Sequence, residues 1–207
     1  ACEGCGACVI ACPNDALTLE PALTGECLVS DTAYGPLVHA NLYPGAESSG
    51  RLVTLVRQKA EDEAMAQGRS LILIDGAPGI GCVAAAALAE TDLAVIVTEP
   101  TLSGIHDMER VMGLAHHFGV PTAVIINKCD INPENTQRIR RFCEESDSSV
   151  LGELPFDDLV ARALSARMPV VEFSRGPVAQ GIERAWAHIA AWAEHIDSTA
   201  TGGLTHG

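Results

Sequence analysis

The chain has 207 residues, which is enough for one α/β domain with a small appendage. Hydrophobic residues make up 47% of it and aromatic residues only 4%, so we expect a core of Val, Ile, Leu and Ala, as in a parallel sheet covered by helices on both faces. The formal net charge of −14 disfavours binding to nucleic acids and to anionic membrane surfaces, and it favours solubility.

Targeting signals are not recognisable in the sequence. No apolar run approaches the roughly 20 residues that a membrane span needs, and the chain does not open on a signal peptide. It begins without Met, and a cysteine motif starts at its second residue, so we expect further residues upstream. Half of the 8 cysteines lie within residues 2–12, which indicates metal binding in a reducing, cytoplasmic compartment and not a disulfide framework.

The first segment of the chain carries the spacing C-x2-C-x2-C-x3-C-P, which is typical of bacterial ferredoxins. Small residues between the cysteines allow backbone amides to approach cluster sulfurs. Zinc is the alternative, since C-x2-C pairs also hold zinc, but it does not account for the fourth cysteine and the proline. We therefore predict a partial ferredoxin-type [4Fe–4S] module over residues 1–35, with four thiolate ligands: Cys2, Cys5, Cys8 and Cys12.

The number of clusters stays open at this point. In two-cluster ferredoxins the fourth cysteine of such a run binds the other cluster, so Cys12 would share a second cluster with ligands from upstream. The alternative is one cluster held by all four cysteines. Cys27 stands alone in an apolar stretch and is expected to be packed.

The next elements are read from hydrophobic periodicity. Residues 21–50 are rich in Gly, Pro and Ser and form a connector with a strand or two. Leu52, Leu55 and Val56 share one face of a helix that begins near Gly50 and ends at Gln67. The continuous apolar run 71–74 predicts a strand that is buried on both faces.

The remaining chain alternates strands and helices. We predict strands at 93–97 and 122–126 and a short one starting at Val150, with helices at about 102–118 and 133–145 and a last helix beginning near Val178. Such alternation predicts a parallel sheet with right-handed crossovers. The predicted domain spans 36–196, and 197–207 is expected to be a flexible tail.

An aspartate and a glycine-rich loop follow the predicted strand 71–74. Asp75 ends that strand, and ligands of open α/β sheets bind where strands reach their carboxyl ends. An aspartate there can hold a Mg²⁺-bound water, and glycines let the backbone approach a phosphate. A simple turn is the alternative explanation of an Asp-Gly pair.

Several segments together resemble the MinD/ParA branch of P-loop ATPases, in the subgroup with a ferredoxin domain inserted. They include Tyr34-Gly35-Pro36, the segment 97–104 and Asn127-Lys128-Cys129-Asp130, and the resemblance extends to about Phe173. It implies a P-loop NTPase-like fold that binds ATP and Mg²⁺ and forms homodimers. It also implies a Walker-B role for Asp75, followed by a phosphate-sensing switch whose candidate residues are Gly76, Pro78, Gly79 and Gly81.

The same resemblance assigns a base-binding region. Asn127 would contact adenine with Asp130 nearby, and Pro155 and Phe156 would flank the base. The alternative for Asn127 and Asp130 is a turn in which their side chains form hydrogen bonds within the protein. The alternative for Phe156 is packing in the core. Cys82 stands where the nitrogenase iron protein of this superfamily has a cluster ligand, but we favour a small buried residue that opens a helix.

The lysine-containing glycine loop of this family, K-G-G-x-G-K-[ST], does not occur in the sequence. Backbone amides and that lysine supply most of the phosphate binding in such proteins. We therefore expect this chain alone to bind ATP poorly and to hydrolyse none.

Three functions are compatible with these patterns. The favoured one is an ATP-dependent switch coupled to electron transfer or cluster delivery, with a redox partner or an apo iron–sulfur client. The second is a cluster carrier or scaffold without a redox role, or a simple ferredoxin-type electron carrier. The third is a GTPase, since N-K-x-D also reads guanine, but such a protein should have glycine where this chain has Pro78.

Overall fold

A computed structural model describes residues 4–46 and 49–202. The chain divides into two compact units, Ala1–Ala87 and Leu88–Gly207.

The first unit contains two short helices around a hairpin and a long helix. Its elements in chain order are α1 (Ala7–Ile10), β1 (Gly25–Thr32), β2 (Gly35–Leu42), α2 (Gly50–Gln67) and α3 (Cys82–Leu88), the last of which ends one residue into the second unit. The two strands predicted as a connector therefore pair with each other, in antiparallel register from Gly25↔Leu42 to Thr32↔Gly35.

Local signals define the ends of α2. The hydroxyl of Ser49 accepts the Leu52 N–H at 3.4 Å, and Gly68 ends the helix in the left-handed conformation, as the sequence predicted. The Arg57 guanidinium donates to the Ala86 carbonyl at 2.9 Å, so α2 supports the end of α3. The first turns of these two helices also meet closely, because a Cβ at Gly50 would lie 3.0 Å from the Cys82 carbonyl oxygen.

The predicted strand 71–74 is wrong for this chain. Residues 69–77 form neither helix nor strand, and the side chain of Leu73 is 81% exposed. A strand forms only when a neighbour accepts and donates its ladder hydrogen bonds. Within residues 4–46 and 49–202, no strand pairs with this run, so its apolar pattern alone does not produce one.

The second unit is built on a parallel sheet with strand order β3-β4-β5 among the described residues. Its elements are β3 (Ala94–Thr98), α4 (Leu102–His117), β4 (Thr122–Asn127), α5 (Pro133–Glu145), β5 (Ser149–Leu154), α6 (Asp158–Ser165), α7 (Val170–Phe173) and α8 (Pro177–Gly202). The predicted parallel sheet is confirmed. Part of the predicted tail lies within α8, and 203–207 lie outside the described residues.

Helices cover both faces of this sheet, as expected. On one face, α4 and α5 surround Val124 and Ile126 of β4, and all these core side chains are 6% exposed or less: Ile105, Met108, Met112, Val124, Ile126, Ile139 and Cys143. On the other face α8 packs on β5, where Gly152 lies beside Ala185. Gly152 is in register with Ile125, which lies between Val124 and Ile126 on β4. Because successive strand residues face opposite sides of a sheet, α8 lies on the face opposite to α4 and α5.

The buried thiol of Cys143 makes the stability of this unit depend on pH in the alkaline range. Its side chain is 1% exposed, and burial, followed by the nearby Glu144, raises the pKa of the thiol from 9.0 to about 11. A thiol whose pKa is higher in the folded chain than in the unfolded chain stabilises the folded chain. This contribution is fully present below the unfolded pKa, and it is lost as the pH rises from about 9 through about 11.

We therefore expect the native chain to lose about 2 kcal/mol of unfolding free energy between roughly pH 8 and pH 10.5 through this group. Cys143→Ala should lack this component, although it lowers stability at every pH by leaving a cavity. Cys27→Ala, which removes an exposed thiol, should keep it. Urea unfolding at several pH values measures the difference, and equal pH slopes for Cys143→Ala and Cys27→Ala would contradict it.

Candidate functional sites

The backbone around Cys5 has an unusual conformation. Gly4 and Gly6 on either side of it have φ angles of 68° and 76°, and Gly6 is the N-cap residue of α1. Glycine adopts such angles more readily than a residue with a side chain. Left-handed residues alternating with ordinary ones form concave turns whose amides face an anion, as at many Fe–S sites. Cys5 and Cys8 are both exposed, so this backbone suits the thiolates of an iron–sulfur cluster.

Cys12 lies just past α1 and differs from the other two described cysteines of the run. Its Sγ accepts the Ala16 N–H at 3.3 Å. Backbone hydrogen bonds from Ala16 and Asn14 lower the pKa of this thiol, against a small opposing effect of desolvation. The thiolate is the form that binds metal, so a lowered pKa favours ligation by Cys12.

The complete ligand set is not described, because Cys2 lies outside the described residues. Within the part of the chain that the structure covers, no three or more Cys, His, Asp or Glu side chains are arranged to hold a metal ion. The backbone at Cys5 and the lowered pKa of the Cys12 thiol nevertheless fit an iron–sulfur cluster. The ligand roles of Cys2, Cys5, Cys8 and Cys12 stay predictions.

The predicted switch is an exposed loop in the first unit. Asp75 and the following residues through Gly81 are all exposed, and Gly79 has a left-handed φ of 87°. A Cβ at Gly76, Gly79 or Gly81 would meet no atom within 4 Å, so the glycines leave open space around the backbone. The loop is therefore accessible to a ligand, and the roles of Asp75 and Pro78 stay predictions.

Two cysteines differ from their expected environments. Cys82 does open α3, but it is exposed and not buried. Cys27 is exposed on β1 instead of packed, since the hairpin among the described residues consists of two strands only.

The predicted base-binding residues of the second unit lie at one edge of the sheet. Asn127 ends β4, and Pro155 and Phe156 follow the end of β5, which is in register with Asn127 through Leu154. Asp130 reaches this second loop, because its carboxylate accepts the Phe156 N–H at 2.7 Å. The Phe156 side chain is 56% exposed, so the alternative of core packing is wrong.

Asn127 and Lys128 form a tight turn at the end of β4. The Asn127 side-chain oxygen accepts the Lys128 N–H at 3.1 Å, and Lys128 has a left-handed φ of 51°. The Lys128 ammonium lies 2.7 Å from the Glu99 carboxylate, which follows β3. Both side chains are 38% exposed, so this ion pair joins the ends of two strands without being buried.

Three helices begin at this same edge. Thr101, Asn132 and Asp157 are the N-cap residues of α4, α5 and α6, and each side chain accepts a backbone N–H of its helix at 2.9–3.0 Å. Helix N-termini carry partial positive charge and favour anions. The edge therefore combines polar side chains, an exposed aromatic ring and three helix starts.

Two contributors to this edge were not predicted. Glu99 pairs with Lys128, and Asn135 donates from its side chain to the Pro100 carbonyl at 3.0 Å. The only signal in the sequence is that Lys128 is one of two lysines, so an acidic partner could be sought for it. Which acidic residue pairs with Lys128 depends on which strands are neighbours in the sheet.

None of the helices, as far as the structure describes them, combines the length and apolar character needed to cross a membrane. Residues 1–18 match a family described as 4Fe-4S binding domain. An uncharacterized protein of Methanocaldococcus jannaschii, MJ0578, is 32% identical over 100 residues, which are 48% of this chain and 35% of that protein. The chain thus spans about a third of that relative.

Solved structures share the fold of this chain. The MinD cell division protein of Aquifex aeolicus has a TM-score of 0.57 and 23% identity, covering 67% of this chain and 61% of its own. The septum site-determining protein MinD of Pyrococcus horikoshii, solved with Mg-ADP, has a TM-score of 0.53 and 21% identity, covering 76% and 60%. The predicted 4Fe-4S module and P-loop NTPase-like fold are thereby confirmed.

Proposed function

We propose that this chain is part of an iron–sulfur protein in which a [4Fe–4S] module is coupled to an ATP- and Mg²⁺-dependent switch of the MinD type. The observation that carries the proposal is the presence of both parts on one chain: the cysteine run matches a 4Fe-4S binding domain, and 76% of the chain is similar in fold to a protein solved with Mg-ADP. Free thiols of this kind require a reducing compartment, for which we propose the cytoplasm.

The cysteine segment supplies thiolates to the cluster. Cys2, Cys5 and Cys8 would hold it, the left-handed glycines would turn backbone amides towards its sulfurs, and Cys12 would bind the same or a second cluster. When bound, the cluster supplies one-electron redox chemistry or serves as cargo. The exposure of Cys5 and Cys8 makes the site accessible to another protein.

The nucleotide half is assigned to two groups of residues. Asp75 would hold a water of the Mg²⁺ shell, and the loop to Gly81 would respond to the terminal phosphate. Asn127 would donate from its side-chain amide to the base, while Phe156 would offer its exposed ring for stacking. Because the lysine-containing loop does not occur in this chain, residues beyond it or a second chain would complete the phosphate site.

Partners follow from these roles. We propose a homodimer, as the family resemblance implies, and either a redox partner or an apo iron–sulfur client. The exposed cysteines favour delivery as the second candidate function, because a client must reach the cluster before taking it over. The charge of −14 argues against nucleic acid or an anionic membrane as partner.

Anaerobic reconstitution with iron and sulfide tests the cluster and its use. We expect about four irons per cluster, the broad visible absorption of a [4Fe–4S] centre and an electron paramagnetic resonance signal after reduction. Incubation with an apo-ferredoxin then separates the candidates: a cluster that stays and cycles between redox states supports electron transfer, and one that moves intact supports delivery. A colourless chain that binds zinc and no iron would overturn both.

A further inference from the structure

The loop after β5 is attached to the loop after β4 by a side chain as well as by the backbone. The parallel ladder between the strands ends at Asn127↔Leu154. One step further, the Cys129 N–H donates to the Leu154 carbonyl at 2.9 Å. Then the Asp130 carboxylate accepts the Phe156 N–H at 2.7 Å. Asp130 thus takes the place of the backbone carbonyl that a longer β4 would have offered.

This attachment gives an acceptor to the first backbone donor between β5 and α6. Pro155 has no N–H, so Phe156 carries the first backbone donor after Leu154, and Asp130 accepts from it. On the far side, the Asp157 side chain caps α6 by accepting the Leu159 N–H at 2.9 Å. The Phe156 backbone is therefore hydrogen-bonded to Asp130 and is followed directly by the helix cap, whereas its ring stays 56% exposed.

Because the Phe156 ring is exposed, it contributes little hydrophobic stabilisation to the fold. The ring does offer a flat apolar face to a ligand. Because the backbone under the ring is already fixed, stacking on it costs less conformational entropy. A planar heteroaromatic base is the class of ligand that such a face takes. Asn127, with its amide at the adjoining strand end, supplies the polar contact that a base edge needs.

We propose that Asp130 is a positioning residue of the base site: it holds the Phe156 backbone so that the ring faces the nucleotide base, and it does not itself contact the base. The proposal rests on the proposed function, which puts a nucleotide base at this edge. It differs from the role implied by the family resemblance, in which Asp130 lies next to the adenine.

Amide exchange in the complete chain tests the positioning role without any ligand. Asp130→Ala removes the acceptor, so the Phe156 amide should exchange about tenfold faster with deuterium, measured by nuclear magnetic resonance. Asp130→Asn keeps an oxygen acceptor and should stay close to the native rate. Glu134→Ala removes another exposed carboxylate from the neighbouring helix start and should leave Phe156 unchanged.

Titration with adenosine and guanosine tests the connection to the base. Neither nucleoside carries phosphate, so the missing lysine loop does not affect the comparison. We expect adenosine to shift the amide signals of Asn127 and Phe156, about tenfold less tightly in Asp130→Ala and with native affinity in Asp130→Asn. Phe156→Ala, which keeps the backbone donor and removes the ring, should lose the binding as well.

The outcomes separate the two proposals. Unchanged Phe156 exchange in Asp130→Ala would overturn the positioning role alone. An altered preference between adenosine and guanosine in Asp130→Asn, with normal Phe156 exchange, would show direct base contact and overturn it too. If the native chain binds neither nucleoside although Asp130→Ala accelerates exchange, the nucleotide half of the proposed function fails, and with it the role assigned to the ring.

Discussion

Replacing Gly104 with alanine should lower the free energy of unfolding of the second unit by about 3 kcal/mol. Gly104 lies in the first turn of α4, and a Cβ there would overlap the backbone carbonyl oxygen of Glu99 and approach the hydroxyls of Thr101 and Thr98 at 3.0 and 3.2 Å. Both hydroxyls bond the Gly104 backbone, one accepting its N–H at 3.0 Å and one donating to its carbonyl at 2.9 Å. The helix start must therefore move or lose these bonds.

Gly113 provides a matched control in the same helix. A Cβ at Gly113 would meet nothing within 4 Å, so Gly113→Ala should raise the unfolding free energy by about 0.5–1 kcal/mol through helix propensity alone. Urea unfolding followed by tryptophan fluorescence measures both variants, since Trp186 and Trp192 lie in α8 of the same unit. Equal effects of the two glycine substitutions would contradict the close packing at Gly104.

Replacing Cys8 with alanine should reduce the iron bound after anaerobic reconstitution at least about tenfold, because the site loses one of its thiolates. Alanine is preferred to serine, whose hydroxyl can still act as a ligand. Iron analysis, visible absorption and electron paramagnetic resonance should decline together. The far-ultraviolet circular dichroism should stay native, because Cys8 is exposed and lies outside the hydrophobic core of the second unit.

Cys27→Ala is the control for this experiment. Cys27 is also exposed and belongs to the same unit, but it lies on β1 outside the ferredoxin spacing, so its loss should leave the iron content unchanged. Cys12→Ala then distinguishes the two cluster arrangements. Retention of a cluster in that variant indicates that Cys12 serves another cluster, and complete loss indicates one cluster held by all four cysteines. Loss of iron in Cys27→Ala would contradict the predicted ligand set.

Much of the second unit could be predicted because its signals are local. The apolar runs at β3 and β4 and the periodicity of α4 and α5 follow from which faces must be buried. Their helix starts follow from side chains that bond the next turn, such as Thr101 and Asn132. The cysteine run belongs to the same category, since its spacing is sufficient to indicate the kind of cluster.

The predicted strand 71–74 shows where such reasoning fails. Its apolar composition describes a strand buried on both faces, but burial and pairing depend on neighbours that are distant in sequence. Cys27 and Cys82 are exposed and not packed as predicted for the same reason, because the exposure of a thiol depends on what packs over it. The β4–β5 register also shifts by one residue after Val124, which no local pattern indicates.

The amino-acid sequence by itself determined the ferredoxin-type cysteine spacing, the α/β character and the group of residues at the sheet edge, since spacing and periodicity act over a few residues. Only the tertiary structure decided how that edge is assembled. The ion pair of Glu99 with Lys128 and the bond from Phe156 to Asp130 join residues more than 25 positions apart. Such contacts depend on strand order and register, and they arise only when the whole sheet has formed.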